Sequence, residues 1–171
     1  PDPRAVLYPQ KLKISRSLHK TLRRGHFKVT FDTAFREVML ACAAPRAQYP
    51  GGGTWISDEM VQAYDALHEQ GIAHSVEVWH AGQLAGGLYG VALGGVFFGE
   101  SMFTRITDAS KVALAVLARA LQEHHFALID CQLPSAHLTR LGAESVPRAR
   151  FLGELEAALK LPGWPGRWTN I

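Results

Sequence analysis

Residues 73–103 constrain the fold most, because they contain three apolar segments separated by two short turns. The segments are AHSVEVWH, QLAGGLYGVAL and VFFGESMF, and they contain the β-branched and aromatic residues that favour strands. The turns are HAGQ at 80–83 and the pair Gly94–Gly95, both short enough for hairpins. This stretch therefore predicts three successive antiparallel strands.

Two helical patterns flank these strands. Residues 57–71 begin with the capping residue Ser57, carry apolar residues on one face and end at Gly71. Residues 108–125 follow the same spacing after Asp108, which is the expected N-cap.

The rest of the chain completes an α+β pattern. Residues 126–132, FALIDCQ, predict a strand, and 147–159 predict a closing helix with Pro147 near its first position. The part before residue 45 is expected to hold two short strands or turns, in KLKISRSL and FKVTFD, and one helix. The order predicts a sheet layer with helices packed on it, compatible with the acyltransferase fold of N-acetyltransferases.

Asp130 and Gln132 interrupt the apolar run of the predicted strand FALIDCQ. Alternation places both on the face of Leu128 and leaves Ile129 and Cys131 on the other face. Burying a carboxylate and an amide costs several kcal/mol unless partners or chemistry compensate. The pair predicts either a polar site or a cap on a nearby loop or helix.

Glu100 ends another apolar run, in VFFGESMF, and alternation places it with Val96, Phe98 and Met102. Two acids in a cleft between strands can polarise an amide, accept a proton or bind an ammonium group. A second acid, together with Asp130, favours a polar site over two separate caps.

Charge is unevenly distributed. Residues 1–28 hold eight Lys and Arg residues against Asp2 alone, a net charge of +7, and the remainder carries −4. Such a segment either holds phosphate backbones or is a solvated face, and the sequence leaves both open.

No apolar run approaches the ~20 residues that span a bilayer, and the N-terminus does not resemble a signal peptide.

Motifs for metals and nucleophiles are absent from the sequence. Cys42 and Cys131 lack CxxC spacing and are expected to be buried thiols in a reducing cytoplasm. The eight histidines show no HExxH spacing, and Ser101 lies in GESMF rather than GxSxG. A metal site is therefore not expected.

Several motifs occur together in one order. They are GTWI at 53–56, HSVEVW at 74–79, GGLYGVALG at 86–94, GESMF at 99–103, ASKVAL at 109–114, LIDCQ at 128–132 and HLTRLGAESVPR at 137–148, after PDPRAVLYP and LKISRSL. Over nearly its whole length the chain resembles the bacterial leucyl/phenylalanyl-tRNA–protein transferases.

The resemblance implies an activity. This family moves Leu or Phe, and sometimes Met, from aminoacyl-tRNA to acceptor proteins with an N-terminal Arg or Lys, which creates a degradation signal of the bacterial N-end rule pathway. It further implies an acetyltransferase-like fold of the GNAT type, a cytoplasmic location and no metal or organic cofactor. We expect a monomer that does not contact a membrane.

The resemblance also assigns roles to the polar residues. Asp130, Gln132 and Glu100 are expected to be catalytic: Asp130 orients and polarises Gln132, whose carbonyl oxygen engages the attacking amine. Glu100 is expected to bind the donor's α-amino group or the cationic acceptor. Since an amide is a weak base, a proton path through the tRNA ribose hydroxyl or a water is an equal alternative.

Substrate-binding residues follow in the same way. Trp55 is expected to stack on the terminal adenine of the tRNA. An apolar slot for the Leu or Phe side chain is expected from Leu88, Phe97, Met102, Leu114, Leu117 and Ile129. The acceptor-stem phosphates are expected to contact Lys11, Lys13, Arg16, Lys20, Arg23 and Arg24.

The Pro- and Gly-rich loop PRAQYPGGGTW divides the chain in this interpretation. Residues 1–50 are expected to be a small basic subdomain that lacks its start, and 51–171 the catalytic domain. Two alternatives remain: an acyl-CoA-dependent N-acetyltransferase, which the absence of a (Q/R)xxGxG/A loop disfavours, and a non-catalytic RNA-binding protein.

Overall fold

The computed structural model describes residues 1–44 and 57–169. The strands are β1 Arg4–Leu7, β2 Lys28–Phe31, β3 Ala73–His80, β4 Gln83–Leu93, β5 Val96–Thr104, β6 Leu128–Gln132 and β7 Glu144–Val146. The helices are α1 Arg16–Arg24, α2 Phe35–Ala43, α3 Asp58–Glu69, α4 Ala109–Glu123, α5 Ala136–Arg140 and α6 Arg148–Leu159.

The two predicted hairpins are confirmed. β3 pairs antiparallel with β4, and β4 with β5. The first turn consists of Ala81 and Gly82, which both have positive φ angles of 50° and 77°. Positive φ at both positions gives the turn a twist that matches the strands beside it. Gly94, with φ 54°, turns the chain between β4 and β5.

One mixed sheet joins all seven strands, in the order β2-β3-β4-β5-β6-β1-β7. β5 and β6 are parallel, and the other neighbours are antiparallel. The α+β fold class is confirmed. The predicted domain boundary after residue 50 lies outside the described residues, but β1 and β2, which precede it, belong to the same sheet as the strands that follow it.

Different helices cover the two faces of the sheet. On the α4 face, Val112 and Leu117 of α4 pack on β3, β4 and β5. On the opposite face, which we call the α6 face, Val38 of α2 packs with Tyr89 of β4, and Phe151 of α6 packs over β5, β6 and β1. The apolar faces of the helices and of the strands between them form three hydrophobic cores.

A β-bulge interrupts the pairing of β4 with β5. Gly90 pairs with Gly99 and Tyr89 pairs with Ser101, so Glu100 is an extra residue in β5. A bulge shifts the alternation of side chains in the strand that contains it. The strand therefore presents different faces before and after Glu100.

The predicted alternation along β5 is wrong for this reason. Val96 and Phe98 pack with the α6 core, as one shared face requires. Met102 instead packs with the α4 core, together with Phe97. Val96, Phe98, Glu100 and Met102 therefore do not share one face.

Helix α1 lies where the sequence predicted a strand or turn in KLKISRSL. The Ser15 hydroxyl oxygen accepts a hydrogen bond from the backbone N–H of Leu18 at 3.1 Å, which caps the helix. Gly25 ends it in the left-handed conformation, with φ 67°. Leu18 is the one buried residue of α1. The helix therefore lacks the periodic apolar residues from which most helices are predicted.

Two other predictions concern the starts of helices: Asp108 as the N-cap of α4, and Pro147 near the first position of α6. Asp108 occupies the N-cap of α4, but its side chain makes no capping hydrogen bond and lies 3.4 Å from Lys111 Nζ instead. Pro147 precedes the first residue of α6 and is its N-cap. None of the helices in the described ranges is both long enough and apolar enough to cross a membrane.

Four stacked rings hold the C-terminal segment against the α4 face. Trp168 stacks on His74 of β3 at a centroid distance of 3.6 Å and on Trp164 at 4.3 Å. Trp164 stacks in turn on His124, just after α4, at 3.7 Å. The segment thereby connects the middle of the sheet to the end of α4.

Asp32, which follows β2, fixes this segment by hydrogen bonds. Its carboxylate accepts from His74 Nδ1 at 2.7 Å, from the Trp168 backbone N–H at 2.8 Å and from the Ser75 backbone N–H at 3.0 Å. Burial raises the pKa of Asp32, but these hydrogen bonds outweigh it and lower the pKa overall. The buried carboxylate is therefore stable in its charged form.

We expect Gly90→Ala to destabilise the fold by about 1–3 kcal/mol, because a new methyl group would overpack the bulge. An ideal Cβ at this position would lie 2.6 Å from a ring carbon of Phe97 and closer still to the carbonyl oxygen of Phe98. Urea denaturation followed by circular dichroism measures the effect.

The matched control is Gly153→Ala in α6, where nothing lies within 4 Å of the added Cβ. We expect this change to stabilise the protein by about 0.5–1 kcal/mol, since Ala favours a helix interior over Gly. Equal effects of the two substitutions would contradict the packing assigned to Gly90.

Candidate active site

An apolar cavity of about 280 Å³ opens beside the point where β5 and β6 separate. The parallel pairing of these strands ends at Phe98 and Asp130, although β5 continues to Thr104. All six residues predicted for the substrate slot line this cavity: Leu88, Phe97, Met102, Leu114, Leu117 and Ile129. The sequence motifs thus identified residues that the fold brings together from β4, β5, α4 and β6.

Further residues line the cavity that the sequence analysis did not assign to it. They are Tyr89, Gly99, Ser101, Cys131, Ser135, His137 and Leu138. Tyr89, Gly99, Ser101 and Cys131 adjoin predicted residues in the motifs, so their proximity was a usable signal. Ser135, His137 and Leu138 belong to the short helix α5 and its cap; the pattern did not predict this helix, although His137 and Leu138 open the motif HLTRLGAESVPR.

Glu100 is the one predicted catalytic residue that lines the cavity. The bulge in β5 places it there. Burial raises the pKa of its carboxyl group, a hydrogen bond from Tyr64 opposes that shift, and the charge of Asp130 adds to it. Burial beside Glu100 also raises the pKa of Tyr64, to about 12. Glu100 is therefore an acid in an apolar surrounding, suited to a cationic partner.

Asp130 lies on the opposite side of the sheet from the cavity. Its neighbours Ile129 and Cys131 line the cavity, as alternation predicted, and Asp130 faces α6 with none of its side chain exposed. There it forms a two-point ion pair with Arg4: Nε to Oδ1 at 2.8 Å and Nη2 to Oδ2 at 2.5 Å. Arg4 also lies over the ring of Phe151, 4.9 Å from its centroid.

Asp130 was expected to orient the side chain of Gln132, but the structure shows it bonded to the backbone of that residue. Asp130 Oδ1 accepts a hydrogen bond from the backbone N–H of Gln132 at 3.0 Å, not from its side-chain amide. Gln132 has a φ of 68°, which few residues other than glycine adopt. The carboxylate thus holds the backbone of Gln132 in an uncommon conformation.

The side chain of Gln132 spans the gap between the separating strands. Its amide Nε2 donates to the carbonyl oxygen of Gly99 at 3.0 Å, and Gly99 lines the cavity. This hydrogen bond uses the donor end of the amide and orients its carbonyl oxygen. Among the described residues, the chain Arg4, Asp130, Gln132, Gly99 therefore connects the α6 face to the mouth of the cavity.

Arg4 is the member of this chain that the sequence analysis missed. The guanidinium group is separated from Asp130 by 126 residues, so no local pattern pairs them. The hydrogen bond and charge of Asp130 raise the pKa of Arg4, although burial works against this. The usable signal was a buried aspartate, which requires a cationic partner somewhere in the chain.

Three other titratable side chains line the cavity and have displaced pKa values: Cys131, His137 and Tyr89, whose pKa is raised by burial. Burial raises the pKa of the Cys131 thiol to about 12, and the charge of Asp130 adds to it. Burial lowers the pKa of His137, and the positive charges of Lys111 and Arg140 lower it further. At neutral pH, Cys131 is a thiol and His137 a neutral imidazole.

The predicted tRNA contacts are exposed, and none of them lines the cavity. Lys11 and Lys13 precede α1, and the helix carries the rest: Arg16, Lys20, Arg23 and Arg24. Lys11 pairs with Glu144 at 3.3 Å, and none of the other five forms an ion pair with a described residue. Trp55, the predicted adenine contact, lies outside the described residues.

No three described His, Cys, Asp or Glu side chains are placed to hold a metal ion together. The polar groups around the cavity are instead single hydrogen-bonding or titratable side chains. This arrangement suits the orientation of an amine and a carbonyl group, which requires hydrogen bonds and charge at fixed positions.

Comparison with solved structures identifies the fold. The backbone superimposes on that of L-PGS from Bacillus licheniformis with a TM-score of 0.51, at 9% identity over 79% of this chain and 46% of that one. An aminoglycoside acetyltransferase from an uncultured soil metagenomic sample, in complex with sisomicin, also gives 0.51, at 10% identity over 80% of this chain and 89% of that one. The predicted acetyltransferase-like fold is confirmed.

Comparison of sequences is more specific. A sequence model described as leucyl/phenylalanyl-tRNA protein transferase matches residues 6–156. The transferase of that name from Nitrosomonas europaea is 57% identical over 98% of this chain and 70% of its own length. The one from Aromatoleum aromaticum is 61% identical over 99% of this chain and 70% of its own length. The chain belongs to the leucyl/phenylalanyl-tRNA–protein transferase family and is therefore an aminoacyltransferase that uses aminoacyl-tRNA and protein substrates.

Proposed function

We propose that the chain transfers Leu or Phe, and also Met, from aminoacyl-tRNA to acceptor proteins whose N-terminal residue is Arg or Lys. The observation that carries this proposal is the apolar cavity with Glu100 at its edge. The product would carry a new hydrophobic N-terminus, which the N-end rule pathway treats as a degradation signal. We further propose a cytoplasmic monomer that needs no metal or organic cofactor.

The donor side chain occupies the cavity in this proposal. The lining is apolar on β4, β5, α4 and β6, and its volume of about 280 Å³ suits one hydrophobic side chain. Met102 has a flexible thioether that can adapt to either a branched or an aromatic side chain. Burial of the side chain supplies the binding free energy, because apolar surface leaves water.

The donor's α-ammonium group lies against Glu100. Burial raises the pKa of Glu100, so its charged form gains from a cationic partner. The donor's ammonium group supplies that positive charge. The same carboxylate helps to exclude donors that have no free α-amino group.

The reaction itself requires little covalent chemistry from the protein. The aminoacyl ester is already activated, and an N-terminal α-amine has a pKa of about 7.7–8.0, so part of it is neutral at cytoplasmic pH. The protein must orient the amine against the ester carbonyl. The carbonyl oxygen of Gln132 accepts a hydrogen bond from the amine in this arrangement.

Asp130 and Arg4 are positioning residues for Gln132. Asp130 holds the backbone N–H of Gln132, and Arg4 neutralises the buried carboxylate. Since Asp130 is buried on the far face of the sheet, it does not contact the substrate. Its contribution is to fix where the Gln132 amide stands.

Exposed charge supports the tRNA contact and the acceptor preference. The cations of α1 form no ion pair with a described residue and can bind phosphates of the acceptor stem, a contact that depends on charge and not on base sequence. The residues after 28 carry a net charge of −4, which attracts an acceptor with N-terminal Arg or Lys.

A transfer assay tests the proposed function. With leucyl-tRNA and a peptide that begins with Arg, we expect mass spectrometry to find one added leucine at the N-terminus. A peptide that begins with Glu should remain unmodified. Modification of both peptides at equal rates would refute the acceptor preference.

The cavity is tested in the same assay by Leu114→Phe, which fills part of it. We expect the ratio of phenylalanyl to leucyl transfer to fall by about 10-fold or more, because the larger donor loses space. The control is Leu152→Phe on the outer face of α6, where the side chain is exposed. An unchanged ratio in Leu114→Phe would place donor binding elsewhere.

We expect Asp130→Asn to lower kcat by about 100-fold, because a shift of Gln132 by 1 Å misplaces the amine. Binding of tRNA should be retained, since Asp130 does not face solvent. The control is Glu144→Gln, which removes the same charge from the exposed pair with Lys11 and should leave kcat unchanged. Full activity of Asp130→Asn would remove its positioning role.

Replacing Lys20, Arg23 and Arg24 by Gln should reduce the salt dependence of tRNA binding. Each lost phosphate contact lowers the slope of log K against log salt by about 1. Arg148→Gln, an exposed change at the start of α6, should leave the slope unchanged. If the triple variant keeps the full slope, α1 is a solvated face only.

A further inference from the structure

We propose that the imidazole of His137 takes the proton that the acceptor's α-amine releases as the peptide bond forms. The inference rests on the proposed transfer reaction and adds a proton acceptor to it. It assigns a catalytic role to His137, the first residue of the motif HLTRLGAESVPR, to which the sequence analysis gave no role.

The position of His137 supports this role. It lies in α5, a short helix that begins four residues after Gln132 and is fixed by the Ser135 hydroxyl, which accepts a hydrogen bond from the Leu138 backbone N–H at 3.1 Å. His137 lines the same cavity as Glu100, and its side chain is half-buried. No described residue hydrogen-bonds either of its ring nitrogens.

The other polar groups around the cavity are poor proton acceptors. The Cys131 thiol, with a pKa of about 12, is protonated at neutral pH. Burial also raises the pKa of the Tyr89 hydroxyl, which has no hydrogen-bond partner among the described residues. The amide of Gln132 is a very weak base, and Asp130 is paired with Arg4. Glu100 is occupied in the Michaelis complex by the donor's ammonium group.

His137 is instead a neutral base at working pH. Burial lowers its pKa below the usual 6.5, and the cations Lys111 on α4 and Arg140 on α5 lower it further. Glu100 on β5, Cys131 on β6 and Tyr89 on β4 are the remaining titratable side chains that line the cavity. A base with a pKa somewhat below the operating pH is unprotonated and still accepts a proton from an ammonium-like intermediate.

The step balances without an added reactant. The neutral α-amine forms an N–C bond to the ester carbonyl carbon, and its proton passes to a ring nitrogen of His137. The C–O bond to the tRNA ribose then breaks, and the imidazolium returns the proton to the departing ribose oxygen. His137 ends the cycle neutral, as it began.

The test is the pH dependence of kcat/KM for an Arg peptide at saturating leucyl-tRNA. Both the amine and His137 must be neutral, so log kcat/KM should rise with a slope of about two below the His137 pKa and about one above it. His137→Gln should abolish the steeper region and lower kcat/KM by about 100-fold. An unchanged pH profile in His137→Gln would overturn the proposal.

Two further variants separate this role from structural damage and from Glu100. Arg140→Gln keeps the imidazole but removes a cation, so the break should move to higher pH with little loss of maximal rate. Glu100→Gln should retain the steeper region, and its loss there would assign the proton to Glu100 instead. Unchanged tRNA binding by His137→Gln confirms that the variant is folded.

The same experiment distinguishes a failure of the proposed transfer reaction from a failure of the role proposed for His137. If the wild-type protein adds no leucine to the Arg peptide, the proposed acceptor class is wrong. If the wild-type protein is active and the slope stays near one throughout, the transfer reaction stands and the role of His137 fails.

Discussion

The ion pair between Arg4 and Asp130 is the interaction on which the site depends. A carboxylate with no exposed surface requires a partner, and losing one member of a buried pair typically costs about 3–5 kcal/mol. The pair joins β1 to β6, and Asp130 Oδ1, which accepts from Arg4 Nε, also accepts from the backbone N–H of Gln132. A requirement of burial on one face of the sheet thus determines a conformation at the cavity on the other.

The ion pair and the cavity lie on different faces of the sheet. The cavity forms where β5 and β6, which are parallel for only three residue pairs, diverge. The divergence opens space for a ligand between strands that are rigid on either side. The bulge in β5 turns Glu100 into that space, and Gln132 closes the gap by its hydrogen bond to Gly99. The ion pair that supports Gln132 lies on the α6 face, and the cavity lies on the α4 face.

The sequence predicted much of this arrangement, and its failures have physical causes. Alternation along β6 correctly separated Asp130 from Ile129 and Cys131, but it failed along β5, where the extra residue Glu100 changes the phase. Helix α1 was not predicted, because Leu18 is its one buried residue and a single apolar position gives no helical periodicity. The partner of Asp130 could not be read from any local pattern, since long-range pairing is decided by the folded topology. The six apolar lining residues were identified by resemblance, because core and pocket side chains look alike in a single sequence.

The topology also affects how the chain is made. β1 lies between β6 and β7, and Arg4 meets a residue 126 positions further along. During synthesis the apolar segment AVLY must therefore remain without its neighbours until most of the polypeptide has left the ribosome. An unpaired strand of this kind is prone to associate with other chains.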